Sequence, residues 1–323
     1  MKMLANAKAL RRQHGTAIIT ALLVVMLAAT LAAYLLAQQS QALTRTARVT
    51  ARAQLALYAP ATIDWVRAVL LEAQRNAVYV HSRQAWAQNL VAQPLEGAVA
   101  SGVIKDETAK FNLNNLIGED GKKSDPDLAL FRTLLRQQGL NPDLANAVLD
   151  WIDADSDVSY PAGAEDQTYL SLPTPYRAAN RPMVQAEELF LVQGFNASAV
   201  NRLLPFVTAL PLRTRININT APKEVLAAVF PDLSTDEIAN LVRYRDEGLP
   251  FSSAADIKDY RSGALPPRLI DQYLDVKSDF FLATLAITGD GAQVRQMALL
   301  QRKAAVTPSA AKEWPGIIWV KDF

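Results

Sequence analysis

Residues 16–37 read TAIITALLVVMLAATLAAYLLA and carry no charged side chain. As a helix rising about 1.5 Å per residue, this run crosses roughly the 30 Å of a bilayer's hydrocarbon core. Polar positions then enter, and Leu55, Ile63, Val66 and Leu70 recur at helical spacing. The pattern predicts one long helix, apolar in its first half and amphipathic in its second, bent or interrupted at Pro60. The runs GAVASGVIKD and ETAKFNLNNLI alternate around positions such as Phe111 and Leu113 and predict short strands. From Asp125 onward the periodicity is helical. DPDLALFRTLLRQQG has a capping aspartate, a first-turn proline and a terminal glycine, and similar short capped segments follow. After Lys277 alternation returns. DFFLATLAITGDGAQVRQMALLQRKA predicts a hairpin turning at Gly289-Asp290-Gly291, and GIIWVKDF a closing strand. Strands thus flank a helical block. The simplest architecture is α+β: a sheet split by a large helical insertion, with the N-terminal helix covering one face.

Composition narrows the function. The net charge is +1, so no global field draws in nucleic acid or an acidic membrane. Cysteine is absent, which excludes disulfides and thiolate metal sites. His14 and His81 are the two histidines, and His81 reads as structural because it lacks a partner for acid–base or metal chemistry. GxSxG, HExxH and P-loop patterns are missing, so an enzyme is not expected.

The apolar run is too long for the 7–15-residue core typical of a cleaved secretory signal. It reads instead as a membrane anchor. A basic leader with Lys2, Lys8, Arg11 and Arg12 precedes it, and Arg45, Arg48 and Arg52 follow. The positive-inside rule therefore favours a cytoplasmic N-terminus. A third possibility is a cut between Gly15 and Thr16 that leaves the anchor intact.

Two polar motifs stand out. LDWIDADSDVSYPAGAEDQTY crowds Asp150, Asp153, Asp155, Asp157, Glu165 and Asp166 together without a lysine or arginine. Carboxylates this dense repel, and a hard cation with oxygen ligands compensates them. Asp153, Asp155 and Asp157 match the first half of an EF-hand loop. Val158 and Ala164 then replace its glycine and its bidentate glutamate, so any calcium loop here is of another kind. The alternative is a helix end with solvated acids. The second motif, residues 218–251, is similar to the helix-hairpin-helix units of DNA-uptake receptors. Its hairpin is Asp232-Leu233-Ser234, without the glycines that let a phosphate approach, and Asp236 and Glu237 follow. A membrane-anchored DNA receptor is therefore the alternative function, and a helical packing module without nucleic acid the preferred reading.

A short basic leader ending in glycine, an uncut apolar helix and an α+β body resemble the type IV pilin-like proteins. KFNLNNLI, LDWIDADSD…GAED…Y, PYRAANRPM, EELFLV-x-G and ININTAPKEVL together resemble the minor pseudopilin K family of type II secretion systems. The resemblance implies prepilin peptidase cleavage between Gly15 and Thr16 with methylation of the new N-terminus. It implies a pilin-like long helix on an antiparallel sheet with an inserted all-helical domain, and calcium held by Asp153, Asp155, Asp157, Glu165 and Asp166. It also implies partnership with minor pseudopilins I and J at the tip of a pseudopilus that exports folded proteins. Thr20 stands at the fifth mature position, where most pilins carry a glutamate that neutralises a neighbour's amine. A tip subunit has no such amine above it. The implied division is leader 1–15, membrane helix 16–37, first core segment 38–118, insertion 119–275 with the hairpin unit at 217–262, and closing strands 276–323. The resemblance also implies a single-pass protein of the bacterial inner membrane with its body in the periplasm.

Overall fold

The computed structural model describes residues 14–260, 265–303 and 313–323. The leader before His14 lies outside them, as does the end of the hairpin unit beyond Tyr260. Helix α1 (His14–Leu57) leads into α2 (Ala59–Asn76) with a break at Tyr58. Pro60 causes the break: it lacks an N–H and sits in the first turn of α2, where none is needed. Gln296 from the sheet reaches across and donates to the Ala59 carbonyl (2.8 Å) and to Thr62 Oγ1 (2.6 Å).

The side chains of residues 16–37 are exposed throughout, Ile18, Leu22, Val25 and Leu36 among them. Burial begins at Ala51 and Leu55, where the helix meets a five-stranded antiparallel sheet. Its strands are β1 (Leu90–Leu95), β2 (Ala98–Asp106), β7 (Phe280–Gly289), β8 (Ala292–Gln301) and β9 (Gly316–Asp322), in the order β1-β2-β7-β8-β9. Ile63, Val66 and Leu70 on one stripe of α2 pack against Ile104, Phe281, Ala283, Leu285, Ala298 and Leu300. Strand alternation turns those residues to the helix, as the period of two requires. The β7–β8 hairpin falls where the sequence predicts it, and turns at Asp290 and Gly291, both with positive φ (46° and 69°), while Gly289 pairs with Ala292 in the ladder.

Between β2 and β7 lies the inserted unit. It contains β3 (Phe111–Asn112), α3 (Asp125–Gln137), α4 (Leu144–Ile152), α5 (Asp166–Leu170), α6 (Ala197–Leu203) and β4 (Val207–Thr208). It continues through β5 (Ile216–Asn217), α7 (Lys223–Val229), α8 (Thr235–Glu247), α9 (Ala254–Lys258), α10 (Pro267–Tyr273) and β6 (Leu274–Asp275). Two details depart from expectation. The unit is not all-helical, because β3 pairs with β4 and β5 with β6, each in parallel over two residues. Its first residues also come earlier than 119. ETAKFNLNNLI is largely 3-10 helix, and Phe111, Leu113 and Leu116 are buried in the insertion's core with Phe131, Leu134 and Val148. Alternation there is satisfied by a turn whose asparagines point inward.

Those asparagines staple the unit. Asn112 Oδ1 accepts from Leu210 N, and its Nδ2 donates to the Leu212 carbonyl. Asn114 exchanges two bonds with Met183 and donates to the Leu210 carbonyl. Asn115 Nδ2 donates to the Thr214 carbonyl. A second polar knot joins the insertion to the sheet. Buried Asp106, the last residue of β2, accepts from Thr108 N, Asn217 Nδ2, Thr220 Oγ1 and Ser278 Oγ at 2.5–3.1 Å. Arg302 beside it donates to the Leu70 and Ser278 carbonyls and lies over the Phe281 ring. These contacts lie near the C-terminal end of α2. The opposite end of the sheet faces Leu55 with Ala98, Ile287 and Val294. The insertion is thus attached at the end of the core remote from the apolar helix.

Candidate metal centre

The acidic motif closes the C-terminal end of α4. That helix buries Ala145, Val148, Leu149, Trp151 and Ile152, and Asp150 goes inward with them. The loop folds back over it and offsets part of the cost of burying it. Ser159 N donates to both Asp150 oxygens (3.3 and 3.0 Å), and Asn146, whose Oδ1 accepts from Arg132 Nη2, donates through Nδ2 to the Pro161 carbonyl. The return is tight. A Cβ at Gly163 would collide with the Ser159 carbonyl and the Asp150 carboxylate, so glycine is required there.

Over this platform Asp153, Asp155 and Glu165 each bring one carboxylate oxygen within 4.8 Å of the others. Asp153 Oδ1 and both oxygens of Glu165 are buried and have no hydrogen-bond partner among the described residues. Burial, reinforced by Asp155, Asp150 and Asp157, pushes the Asp153 carboxyl up to about 7. Burial, reinforced by Asp150 and Asp153, takes Glu165 to about 7 as well. Asp150 is also raised, chiefly by burial, against the opposing pull of Ser159. Buried acceptors without donors, repelling one another, fit a hard cation: oxygens on opposite sides of a bound Ca²⁺ are about 5 Å apart.

The other two expected ligands sit apart from this group. Asp157 is exposed, and its N–H donates to Asp155 Oδ1 (2.8 Å) in a local turn. Asp166 binds Arg177 Nη1 through Oδ2 (2.6 Å) and accepts from Ala178 N through Oδ1 (3.0 Å). Sequence spacing places all five near one another, but only the folded loop shows which oxygens already have donors. Asp150, three residues before Asp153 on the helix, was visible as part of the acidic run. Its role as the anchored floor was not.

At the other motifs, Thr20 Oγ1 donates to the carbonyls of Thr16 and Ala17 (both 3.0 Å), a self-satisfied hydroxyl on the apolar helix. Gly15 and Thr16 lie in the first turn of α1. His81 stacks on Tyr79 and accepts from Arg83 N, and burial lowers its basicity. In the hairpin unit, Ser234 and Glu237 form a reciprocal capping box on α8. The helix N-terminus, where a phosphate would sit, is filled by the protein's own carboxylate.

Comparison with known proteins agrees with this architecture. Two family models described as Type II secretion system (T2SS), protein K match residues 109–212 and 216–277. The chain is 32% identical to the type II secretion system protein K of Pectobacterium carotovorum subsp. carotovorum, over 94% of this chain and 97% of that one. It is 30% identical to the Klebsiella pneumoniae protein of the same name, over 96% and 99%. Its fold matches a chain in the crystal structure of the GspK-GspI-GspJ complex from the enterotoxigenic Escherichia coli type 2 secretion system. The TM-score is 0.74 at 23% identity, over 86% of this chain and 99% of that one. The chain belongs to the type II secretion system protein K family and is a minor pseudopilin of that secretion apparatus.

Proposed function

We propose that this minor pseudopilin sits at the tip of the pseudopilus, where it starts and caps the filament with minor pseudopilins I and J. The observation that carries the reading is the position of the insertion. It joins the pilin core through Asp106, Asn217 and Ser278, at the end opposite the apolar helix. A subunit stacking above would meet the insertion and not a pilin sheet, so growth proceeds only below it. The exposed apolar helix packs beside those of partner pilins in the membrane, where close side-chain packing drives association. Thr20 suits the top position, because no subunit above presents an amine for a fifth-position carboxylate, and an unpaired carboxylate in the apolar span is costly.

Prepilin peptidase would remove residues 1–15 between Gly15 and Thr16, leaving a single-pass inner-membrane protein with its body in the periplasm. Asp153, Asp155 and Glu165 would hold a structural Ca²⁺, with Asp157 and Asp166 supporting the loop from outside the group. Bound there, the ion compensates three carboxylates that the fold forces together. The protein's work is shape and assembly, without catalysis. The filled N-terminus of α8 disfavours the DNA-receptor alternative.

The test is the mature N-terminus in cells with an active prepilin peptidase, together with the partners retained on purification. N-methylated Thr16 and a stable complex with I and J are expected. A chain that still begins at Met1, or one that never associates with I and J, overturns the proposal.

A further inference from the structure

Beyond the apolar run, α1 carries three arginines that the chain leaves without a counter-charge. Arg45, Arg48 and Arg52 are spaced three and four apart, so they fall within about 60° of one another around the helix axis. All three are exposed, and no hydrogen bond or ion pair engages their side chains among the described residues. The first acid in the sequence is Asp64, and it pairs with Arg67 (2.6 Å). Every aspartate and glutamate of the chain lies among the described residues, so the segments outside them supply no carboxylate. Glu96 and Asp290 stand in the turns at this end of the sheet and form no ion pair with the stripe.

Two properties of this stretch define what the stripe fits. Like charges at i,i+3 and i,i+4 destabilise a helix, yet α1 runs unbroken through all three positions to Leu57. Carboxylates brought from outside relieve that repulsion. The stripe also lies along a segment patterned for helix packing. About half a turn away around the axis, Leu36, Leu43 and Leu57 are exposed and recur at multiples of seven residues, and Leu22 and Ala29 carry that spacing into the apolar run. Helices that lie beside α1 in the membrane thus continue beside it past Arg52. Lipid phosphate is the other anion near this segment. At about 1.5 Å per residue the three Cα atoms stand roughly 12, 17 and 22 Å beyond Ala37 on an upright helix, and the headgroup layer is about 5–8 Å deep. Of the three, only Arg45 is within side-chain reach of it. A neighbouring helix, about 8–10 Å away along its whole length, meets all three.

We infer that Arg45, Arg48 and Arg52 dock a carboxylate-bearing face on the helix of a neighbouring pilin-type subunit, and so select which helix lies on that side of α1. The inference rests on the proposed side-by-side packing of α1 with partner helices, and not on where in the filament the subunit sits.

The experiment uses the full chain in phosphatidylcholine vesicles, with a donor dye on Ala53→Cys, an exposed position in a chain that has no cysteine of its own. Acceptor-labelled single-span peptides have a Leu/Ala membrane helix and a helical extension bearing three Glu, three Gln or three Lys at the depths of Arg45, Arg48 and Arg52. Energy transfer should show the Glu peptide binding roughly tenfold tighter than the Gln peptide, with the Lys peptide weakest. The gap should narrow as salt rises. Arg48→Glu should weaken binding of the Glu peptide roughly fivefold, and a Glu peptide with Lys at its middle position should restore it. A folding defect in the variant would not be repaired by that exchange. Equal binding of the Glu and Gln peptides, no binding of either, or no rescue by the middle Lys overturns the inference. Enrichment of phosphatidylglycerol around the native chain but not around Arg48→Glu, with no preference among the peptides, assigns the stripe to lipid headgroups and overturns it too. A chain that retains I and J on purification but ignores the Glu peptide refutes this inference alone. One that prefers the Glu peptide but never associates with I and J refutes only the assembly at the tip.

Discussion

Two residues concentrate the tension in the acidic loop. Asp153 and Glu165 ionise near 7 in the folded, metal-free chain, and well below that when unfolded. A carboxylate whose folded pKa is raised gives its full contribution to stability below the unfolded value, and loses it as pH climbs through the folded one. In chelator, the melting temperature should therefore fall between about pH 4 and pH 7. Calcium should flatten that fall by binding only the folded loop. Asp153→Asn should raise the melting temperature in chelator and erase the response to calcium. A calcium-independent melting curve in the native chain would remove the metal from the account. Asp106 makes the opposite case, a buried acid fully supplied with donors. Asp106→Ala strands the donors of Asn217, Thr220, Ser278 and Thr108 and should cost about 2–5 kcal/mol in denaturant unfolding. All three acids stand out in the sequence only as charges. Which one has donors was decided by residues more than a hundred positions away, such as Asn217 and Ser278.

Among the elements, the helix–sheet layer was legible. Its hydrophobic periods, 3.6 in α2 and two in β7 and β8, mark the faces that meet. Leu70, fully buried against that sheet, should cost about 2–5 kcal/mol when cut to alanine, measured by chemical denaturation. The hairpin at Asp290-Gly291 was equally legible, because positive φ at both turn residues selects this residue pair. The run ETAKFNLNNLI was not. Its alternation predicts a strand, yet its asparagine amides are used as staples to the chain at residues 183 and 210–214. Those partners cannot be inferred from neighbours in sequence. The same limit explains the boundary near Asp106 in place of 118: Phe111 is apolar wherever it sits, and only packing shows that it faces Phe131 and not the pilin sheet.

For the whole molecule, an apolar helix without buried contacts and a body capped by an insertion give two ends with different tasks. In intact cells the mass of the processed protein should equal that of the full chain less residues 1–15, with one methyl group added back, as measured by intact mass. Loss of the protein should lower the number of pseudopili, with the shortfall restored by the wild-type chain.

The sequence by itself determined the anchor, the α+β order of elements, the hairpin and the crowding of acids, because these depend on local periodicity, turn geometry and charge. Tertiary structure alone decided that the insertion attaches at the remote end of the core, that Asp153, Asp155 and Glu165 converge while Asp157 stays exposed and Asp166 pairs with Arg177, and that Tyr79 joins Tyr244 and Tyr260 around one cavity. Each of those facts is a distance between residues far apart in the chain. Such distances are set by how the buried faces pack, and no local pattern contains them.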